Sequence, residues 1–254
     1  MARGALLTSE NMTAAGPPAL TRGPLTLADA LLPGTLSERA PGWARDAALI
    51  AIGAALLIAG AYVTFTVPAM QLGQLYLPVN EYVPLTLQTF GVLFTGALLG
   101  ARRGVSATAL YLLLGIIGLP VFAASADGVH GSGLVTIVSM DGGRLVLGAT
   151  GGYLLGFLLA SAVVGRLAER GWDRRPSRSL AAMGIGTAII YVAGVTWLAM
   201  AANLSAANAL TFGLWPFLPG DILKLLASAA LLPLGWRLVS GRASDARGGH
   251  AGPD

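Results

Sequence analysis

Long apolar runs alternate with short polar segments along most of this chain. A membrane-crossing helix needs about 20 apolar residues, because each residue adds 1.5 Å towards roughly 30 Å of hydrocarbon. None of the runs alternates residue by residue as the strands of an outer-membrane barrel do. The pattern therefore predicts an all-α membrane protein, a bundle of six transmembrane helices. The six runs are Ala47–Phe65, Leu85–Leu99, Val105–Phe122, Leu145–Val164, Leu180–Ala201 and Asp221–Val239.

The two ends of the chain differ in composition from these runs. Residues 1–43 are rich in Pro, Gly, Ser and Thr, and they lack the basic start and apolar middle of a signal peptide. We expect a disordered N-terminal tail over 1–43, a six-helix membrane domain over 44–239 and a disordered C-terminal tail over 240–254. Within the first tail, Leu25–Leu32 has the pattern of a short amphipathic segment.

The basic residues predict the orientation. Of the 16 lysines and arginines, all except Arg144 and Lys224 lie before the first run, at or beyond the end of the last, or between runs two and three and runs four and five. The positive-inside rule assigns such segments to the cytoplasm. An even number of spans is required for both ends to lie there, and six satisfies it. We therefore predict that both termini are cytoplasmic.

Composition supports a membrane protein and excludes several other classes. Hydrophobic residues make up 55% of the chain and charged residues 11%, with a mean hydropathy of +0.70. Soluble domains carry about 25% charged residues. The net charge of +4 follows from the placement of the arginines, so no nucleic-acid partner is needed to explain it. The chain has no cysteine, which excludes disulfides, thiolate metal sites and a cysteine nucleophile.

Asp221 and Lys224 are the clear cases of ionisable residues inside an apolar run, where such groups are unfavourable and usually functional. Their spacing of i and i+3 puts them on one helix face, after the turn-like Leu218-Pro219-Gly220. In one interpretation Asp221 caps the helix and Lys224 neutralises it. In the other, the pair is a binding face towards the outer side, because a carboxylate accepts N–H donors and an ammonium meets an oxygen acceptor or an anion.

Further polar residues reach the same outer side through the predicted topology. Each of them either binds a ligand or has a structural role. Gln88 can instead form a hydrogen bond to a neighbouring helix, and Gly151 and Gly152 can instead allow two helices to pack closely. Arg144 is the lone cation on that side, so it is either a ligand for an anionic group or a plain loop residue. Together with the Asp221–Lys224 pair, the candidate binding residues are Asn80, Thr86, Gln88, Arg144, Gly151, Gly152 and Tyr153.

A second pattern lies in the first run, where small residues recur at every fourth position. These residues are Ala47, Ala51, Ala55 and Ala59. A stripe of this kind lets another helix approach closely. The partner is either a helix of another protein or a helix of the same bundle.

Motifs for catalysis and nucleotide binding are absent from the sequence. There is no Gly-x-x-x-x-Gly-Lys-Ser/Thr loop for ATP, no His-Glu-x-x-His metal motif and no Gly-x-Ser-x-Gly motif, and the two histidines are far apart. A membrane-embedded enzyme acting on a lipid or isoprenoid remains an alternative, with Asp221 as its single candidate carboxylate.

Six blocks follow one another along the membrane region: Val83-Pro84-Leu85-Thr86-Leu87-Gln88-Thr89, Gly96–Gly100, Tyr111–Gly115, Gly118–Phe122, Thr150–Phe157 and Leu218–Lys224. In this order they resemble the BioY family, the biotin-binding S components of energy-coupling-factor (ECF) transporters. The similarity covers residues 47–238, and two features depart from it: Ala149 stands where the family usually has proline, and Ala123–Gly143 is longer and more polar than expected.

The resemblance implies vitamin uptake across the cell membrane of a prokaryote. It implies that Asp221 and Lys224 contact the ureido ring of biotin, that Arg144 binds the carboxylate, and that Tyr153, Phe122 and Trp215 pack on the apolar part. No covalent cofactor is expected. Partners implied by the family are a membrane coupling protein and two cytoplasmic ATPase subunits, which alone use ATP; the alternative is a solitary transporter acting as a homo-oligomer in the bilayer.

Overall fold

The computed structural model describes residues 26–32, 41–64, 70–72, 75–77, 85–124, 128–141 and 144–248. Its helices are α1 (Leu27–Leu31), α2 (Gly42–Tyr62), α3 (Gln88–Ile116), α4 (Gly151–Glu169), α5 (Pro176–Ala201), α6 (Ala206–Gly213) and α7 (Leu218–Gly248). Two antiparallel ribbons pair β1 (Met70–Leu72) with β2 (Leu75–Leu77) and β3 (Val138–Asp141) with β4 (Arg144–Leu147). Short 3-10 turns lie at Leu134–Thr136 and Trp172–Arg174.

Most of the long helices have an apolar outer surface. Ile52 of α2, Val192 of α5 and Leu223 of α7 are each more than three-fifths exposed. A helix that is apolar on all sides is stable when lipid surrounds it, whereas a helix facing water carries polar residues outward. By number of residues and composition alone, five of the described helices are long and apolar enough to cross a membrane: α2, α3, α4, α5 and the part of α7 from Leu218 to Gly241.

Gly100 divides α3 into two arms. Its backbone has φ 82° and ψ 173°, a conformation that glycine adopts without steric penalty. A Cβ placed on Gly104 would lie 2.9 Å from the Cα of Gly96, whereas residues eight apart in one straight helix are separated by about 12 Å. The chain therefore reverses at Gly100, and residues 88–99 and 101–116 run side by side. The Glu169 carboxylate accepts the Ala101 N–H at 2.9 Å and so caps the second arm.

The core lies where α4 packs against α3 on one side and α5 on the other. Side chains that are almost fully buried here include Val92 and Tyr111 of α3, Phe157 and Val164 of α4, and Ile190 of α5. This arrangement makes α4 the central helix. The first turn of α4 consequently lies beside residues of α3, α5 and α7 at one end of the bundle.

The strands correct part of the predicted fold class, which was all-α. The fourth predicted span began at Leu145, but Arg144–Leu147 is strand β4 and the helix begins only at Gly151. A short apolar run bounded by glycines fits a strand as well as a helix, because periodicity does not separate them over four residues. Pairing with β3, in which Met140 lies opposite Leu145, stabilises the extended form.

Several helix ends also differ from the predicted ones. The third span was predicted to reach Phe122 but ends at Ile116, because Gly118 adopts φ 111° and Pro120 follows. Helix α6, whose N-cap Ser205 accepts the Asn208 N–H, was not predicted. At the C-terminus, α7 continues to Gly248, beyond the predicted domain boundary at residue 239.

The short helix α1 lies in Leu25–Leu32, the segment with an amphipathic pattern inside the tail that was expected to be disordered over residues 1–43. Thr26 caps it by accepting the Asp29 N–H, and Leu27 and Ala28 are buried. Leu27 packs against Gly235 of α7, where an added Cβ would meet its side chain at 2.7 Å. Residues 26–32 are therefore a folded part of the membrane domain.

Candidate functional site

A cavity of about 600 Å³, part of it open to solvent, lies among α3, α4, α5 and α7. Its walls are mainly aromatic and aliphatic, and a smaller group of polar side chains faces it. The apolar lining consists of Phe122, Ala123, Tyr153, Leu154, Phe157, Ile190, Tyr191 and Phe217. The polar lining consists of Thr86, Gln88, Thr89, Thr136, Thr150 and Lys224.

Four polar residues from three helices form a connected group at this cavity, which we call the polar quartet: Thr89, Tyr191, Asp221 and Lys224. The Lys224 ammonium donates to Asp221 Oδ1 at 2.8 Å and to Thr89 Oγ1 at 3.1 Å. The Tyr191 hydroxyl donates to Asp221 Oδ2, and Thr89 Oγ1 lies 3.4 Å from Asp221 Oδ1. Both carboxylate oxygens of Asp221 are thus engaged by the protein itself.

Asp221 lies behind the surface of the cavity. It is 4% exposed, and it lines a smaller adjoining space of about 190 Å³ with Thr187 and Leu225. Thr89 and Lys224 line both spaces. The groups of the quartet that a molecule in the main cavity meets first are therefore Lys224, Thr89 and Tyr191, and Asp221 holds them in place.

The start of α3 supplies a second polar wall. The Thr86 hydroxyl accepts the Gln88 N–H at 3.1 Å, and the Gln88 amide donates to the Tyr111 hydroxyl of the opposite arm. Gln88 therefore forms the hydrogen bond between helical segments that was one of its two predicted roles, and it also lines the cavity. Tyr153 donates its hydroxyl to the Gly213 carbonyl at 2.7 Å, which ties α4 to the end of α6.

The structure brings together only some of the residues proposed from the sequence. Thr86, Gln88, Tyr153 and Lys224 line the main cavity, and Asp221 supports them from behind. Asn80 lies outside the described residues.

Gly151, Gly152 and Arg144 are placed elsewhere. A Cβ on Gly152 would lie 2.1 Å from the Cβ of Trp197, and one on Gly151 would meet the same indole at 2.8 Å. The two glycines therefore allow α5 to pack on α4, the alternative that the Gly-Gly pattern left open. Arg144 is exposed in strand β4 and is not among the described cavity-lining residues, nor is Trp215, which is 43% exposed.

Tyr191 and Phe217 are site residues that the sequence reasoning missed. Each stands in an apolar stretch, where an aromatic residue is most often part of the core. For Tyr191, the available signal was a hydroxyl in the middle of a predicted span, because a buried Tyr O–H usually finds a hydrogen-bond partner. Phe217 carried no signal beyond its position just before Leu218-Pro219-Gly220-Asp221.

The alanine stripe of the first run lies on the outside of the molecule. Ala47, Ala51, Ala55 and Ala59 are all exposed. The opposite face of α2, which includes Ala54, Leu57 and Ala61, is buried against the rest of the protein. The stripe therefore does not pack against the described part of this chain.

The geometry suits an amphipathic small molecule. A mostly apolar cavity with a few converging polar groups is the usual form of a ligand site. The BioY family model matches residues 30–241. The chain belongs to the BioY family.

Individual BioY proteins match over most of their length. The biotin transporter BioY of Rhizobium etli is 34% identical over 209 residues, which cover 78% of this chain and 98% of the relative. That of Rhodobacter capsulatus is 35% identical over 198 residues, or 72% of this chain and 89% of the relative. These matches and the five apolar helices agree with the predicted multi-pass membrane protein.

A solved structure supports the fold. It is the crystal structure of the S-component for biotin from an ECF-type ABC transporter, with a TM-score of 0.57 and 22% sequence identity. The match covers 75% of this chain and 89% of that chain. The mostly helical S-component fold is therefore shared by the described part of this protein.

Proposed function

We propose that this chain is the substrate-binding component of a biotin uptake transporter. The observation that carries the proposal is the cavity beside the polar quartet, in a chain of the BioY family whose relatives are named biotin transporters. Because those relatives are transporters, the alternative of an enzyme acting on a lipid is set aside.

The cavity has two chemically different parts, and biotin has the same two. Lys224, Thr89 and Tyr191 offer hydrogen bonds to the ureido group, with the Lys224 ammonium directed to its carbonyl oxygen. Phe122, Phe157 and the other apolar residues pack on the thiophane ring and the alkyl chain. Asp221 fixes the quartet, and it becomes a direct acceptor for a ureido N–H where the ligand displaces one of its present donors.

Calorimetric titration of the purified protein tests this assignment. Biotin is expected to bind saturably at one site per chain. Lipoic acid is a matched control, because it has the same pentanoic acid tail but no ureido group, and it should bind far more weakly. Equal affinity for the two would show that the quartet does not recognise the ureido ring.

We also propose six spans with both termini in the cytoplasm. Support comes from the reversal at Gly100, which gives two arms where a straight α3 would give one span, and from the distribution of arginines.

Cysteine labelling tests the orientation, since the chain has no native cysteine. Ser177 in the first turn of α5 and Ala207 in α6 are both exposed. In intact cells, Ser177→Cys should be protected from an impermeant maleimide and Ala207→Cys should react. The reverse labelling would overturn the orientation.

The exposed alanine stripe supports the further proposal that α2 docks a membrane coupling protein, which works with two cytoplasmic ATPases in the prokaryotic plasma membrane. Ala51→Trp should reduce complex formation and uptake while biotin binding is kept, because a large side chain prevents close helix approach. Val192→Trp, at a position of α5 that is 70% exposed, is the matched control. Uptake by Ala51→Trp without added partner subunits would favour a solitary homo-oligomer.

A further inference from the structure

The ribbon of strands β3 and β4 has one face made only of apolar residues. Met140 lies opposite Leu145, and Val138 lies opposite Leu147. Cross-strand partners share a face, and residues two apart along a strand share it too, so these four side chains form one surface. Met140 is 68% exposed and Leu145 is 66% exposed, so the described protein does not cover this surface.

The other face of the same ribbon is more polar. Ser139 lies opposite Val146, and Arg144 is two residues from Val146 on the same strand. Arg144 is exposed, which leaves its guanidinium in contact with solvent or with the polar part of a membrane. The ribbon is therefore amphipathic across its two faces.

Exposed apolar residues also lie on segments next to the ribbon along the chain and at the end of α3. Leu134 and Val135 of the preceding turn are 51% and 62% exposed, and Ile117 at the end of α3 is 70% exposed. On α4, which follows the ribbon, Leu159 is 60% exposed within a helix long and apolar enough to cross a membrane. Exposed apolar residues therefore occur on the ribbon, on the turn before it and on the long apolar helices.

We propose that the face formed by Val138, Met140, Leu145 and Leu147 rests on the acyl chains at the membrane boundary. Among the described residues the ribbon has two strands, so neither of its edges has a further strand partner there. Such edges exclude the ribbon from the hydrocarbon centre, where no water would satisfy their N–H and C=O groups. At the boundary, water and headgroups satisfy these edges. The long side chain of Arg144 reaches the same polar layer.

This contact steadies the rim of the cavity. Thr136 precedes the ribbon and Thr150 follows it, and both line the cavity. The base of the ribbon is closed by the Gly148 N–H, which donates to the Ile137 carbonyl at 2.9 Å, and by the Trp197 indole, which donates to the Gly148 carbonyl at 2.8 Å. Lipid under the ribbon therefore holds both rim residues. The inference depends on membrane insertion and not on the identity of the ligand.

Spin labels on single cysteines test the contact, and the absence of native cysteine makes the labelling specific. Met140→Cys and Leu145→Cys report on the apolar face, and Ser139→Cys and Val146→Cys are matched controls on the other face. Each labelled protein is placed as one copy in a phosphatidylcholine nanodisc. The accessibility of the label to oxygen, which partitions into lipid, is then compared with its accessibility to a water-soluble nickel chelate.

The ratio of oxygen to nickel accessibility should be severalfold higher at 140 and 145 than at 139 and 146. Equal ratios on the two faces would overturn the proposal, because the ribbon would then stand in water. Low accessibility of positions 140 and 145 to both reagents would also overturn it, since protein and not lipid would cover the face.

Discussion

Two groups of charged side chains in this protein use the same kinds of ion pair in very different surroundings. In the polar quartet, the side chains of Asp221 and Lys224 are 5% and 13% exposed and adjoin the cavity. The second group, which we call the arginine cluster, consists of Asp29, Arg45, Asp46 and Arg103. Its side chains are between 16% and 39% exposed.

The arginine cluster holds elements of the fold together. Arg103 bonds Asp29 at 2.8 Å and Asp46 at 2.7 Å, and Arg45 lies 3.4 Å from Asp29. These bonds fasten α1 to the start of α2 and to the second arm of α3. Water reaches them, so each contributes little to stability.

The comparison indicates that a ligand site is distinguished by charged side chains that are buried and border a cavity. The number of charged side chains matters less. In the quartet a lost partner leaves a charge without water to replace it, so each member matters. In the arginine cluster solvent replaces a lost partner. The predictions below test this difference from the largest expected effect to the smallest.

Asp221→Asn should give the largest effect on biotin binding. The change keeps the shape but removes the charge, and charge-assisted hydrogen bonds are roughly twice as strong as neutral ones. We expect a loss of about 2–4 kcal/mol, since Lys224 is left partly unpaired in a buried place. That is roughly thirtyfold to a thousandfold in Kd by calorimetry.

Asp29→Asn makes the same chemical change in the arginine cluster and is the matched control for Asp221→Asn. Its biotin affinity should equal that of the unaltered protein. If Asp221→Asn folds and binds biotin within about threefold of the unaltered protein, the Asp221–Lys224 pair is only a helix cap and the comparison fails.

Tyr191→Phe removes one donor to Asp221 and should have a smaller effect. A hydrogen bond to a charged group contributes about 1.5–3 kcal/mol, so we expect biotin affinity to fall by roughly tenfold to a hundredfold. Tyr62→Phe is the control, because the Tyr62 hydroxyl donates to the Pro120 carbonyl away from the cavity lining. Equal biotin affinities for the two variants would show that the Tyr191 hydroxyl does not contribute to biotin binding.

Asp173 is a buried carboxylate that lines neither of the two cavities described above, and it tests the effect of burial. It lies in the turn Trp172–Arg174, is 2% exposed and accepts the Trp236 indole N–H at 2.5 Å. Burial raises the pKa of Asp173, and the Trp236 hydrogen bond opposes the rise. The folded state therefore binds the proton more tightly than the unfolded state does.

The free energy of unfolding should consequently fall as pH rises from the unfolded pKa of about 3.9 through the higher folded pKa. One such group changes stability by at most about 1.4 kcal/mol per pH unit. Asp173→Asn, which retains an oxygen acceptor for Trp236, should flatten this part of the profile in detergent-based thermal unfolding. An unchanged slope in the variant would show that Asp173 does not set it.

Asp29→Asn should have the smallest effect on stability. Partly exposed ion pairs contribute about 0.2–1 kcal/mol each, so thermal unfolding should shift only slightly, and the shift should diminish at high salt. A large loss of stability would mean that the arginine cluster is as dependent on its charges as the quartet, which would contradict the comparison.

The sequence by itself determined the features that depend on local chemistry. An apolar run long enough to cross a bilayer must satisfy its own backbone hydrogen bonds, and this holds whatever its neighbours are. The described helices that are long and apolar enough to cross a membrane therefore overlap predicted runs, and α5 ends at the predicted Ala201. Asp221 and Lys224 were found for a similar reason, because a charge in an apolar run is conspicuous wherever the helix lies.

Only the tertiary structure decided which way side chains face and which segments meet. Tyr191 joins the quartet because α5 lies beside α7, and Gly152 faces Trp197 and not the cavity for the same kind of reason. The ribbon β3–β4 depends on pairing between strands, which a four-residue apolar run does not reveal. These outcomes depend on contacts between segments distant in sequence, and such contacts have no local signature in the chain.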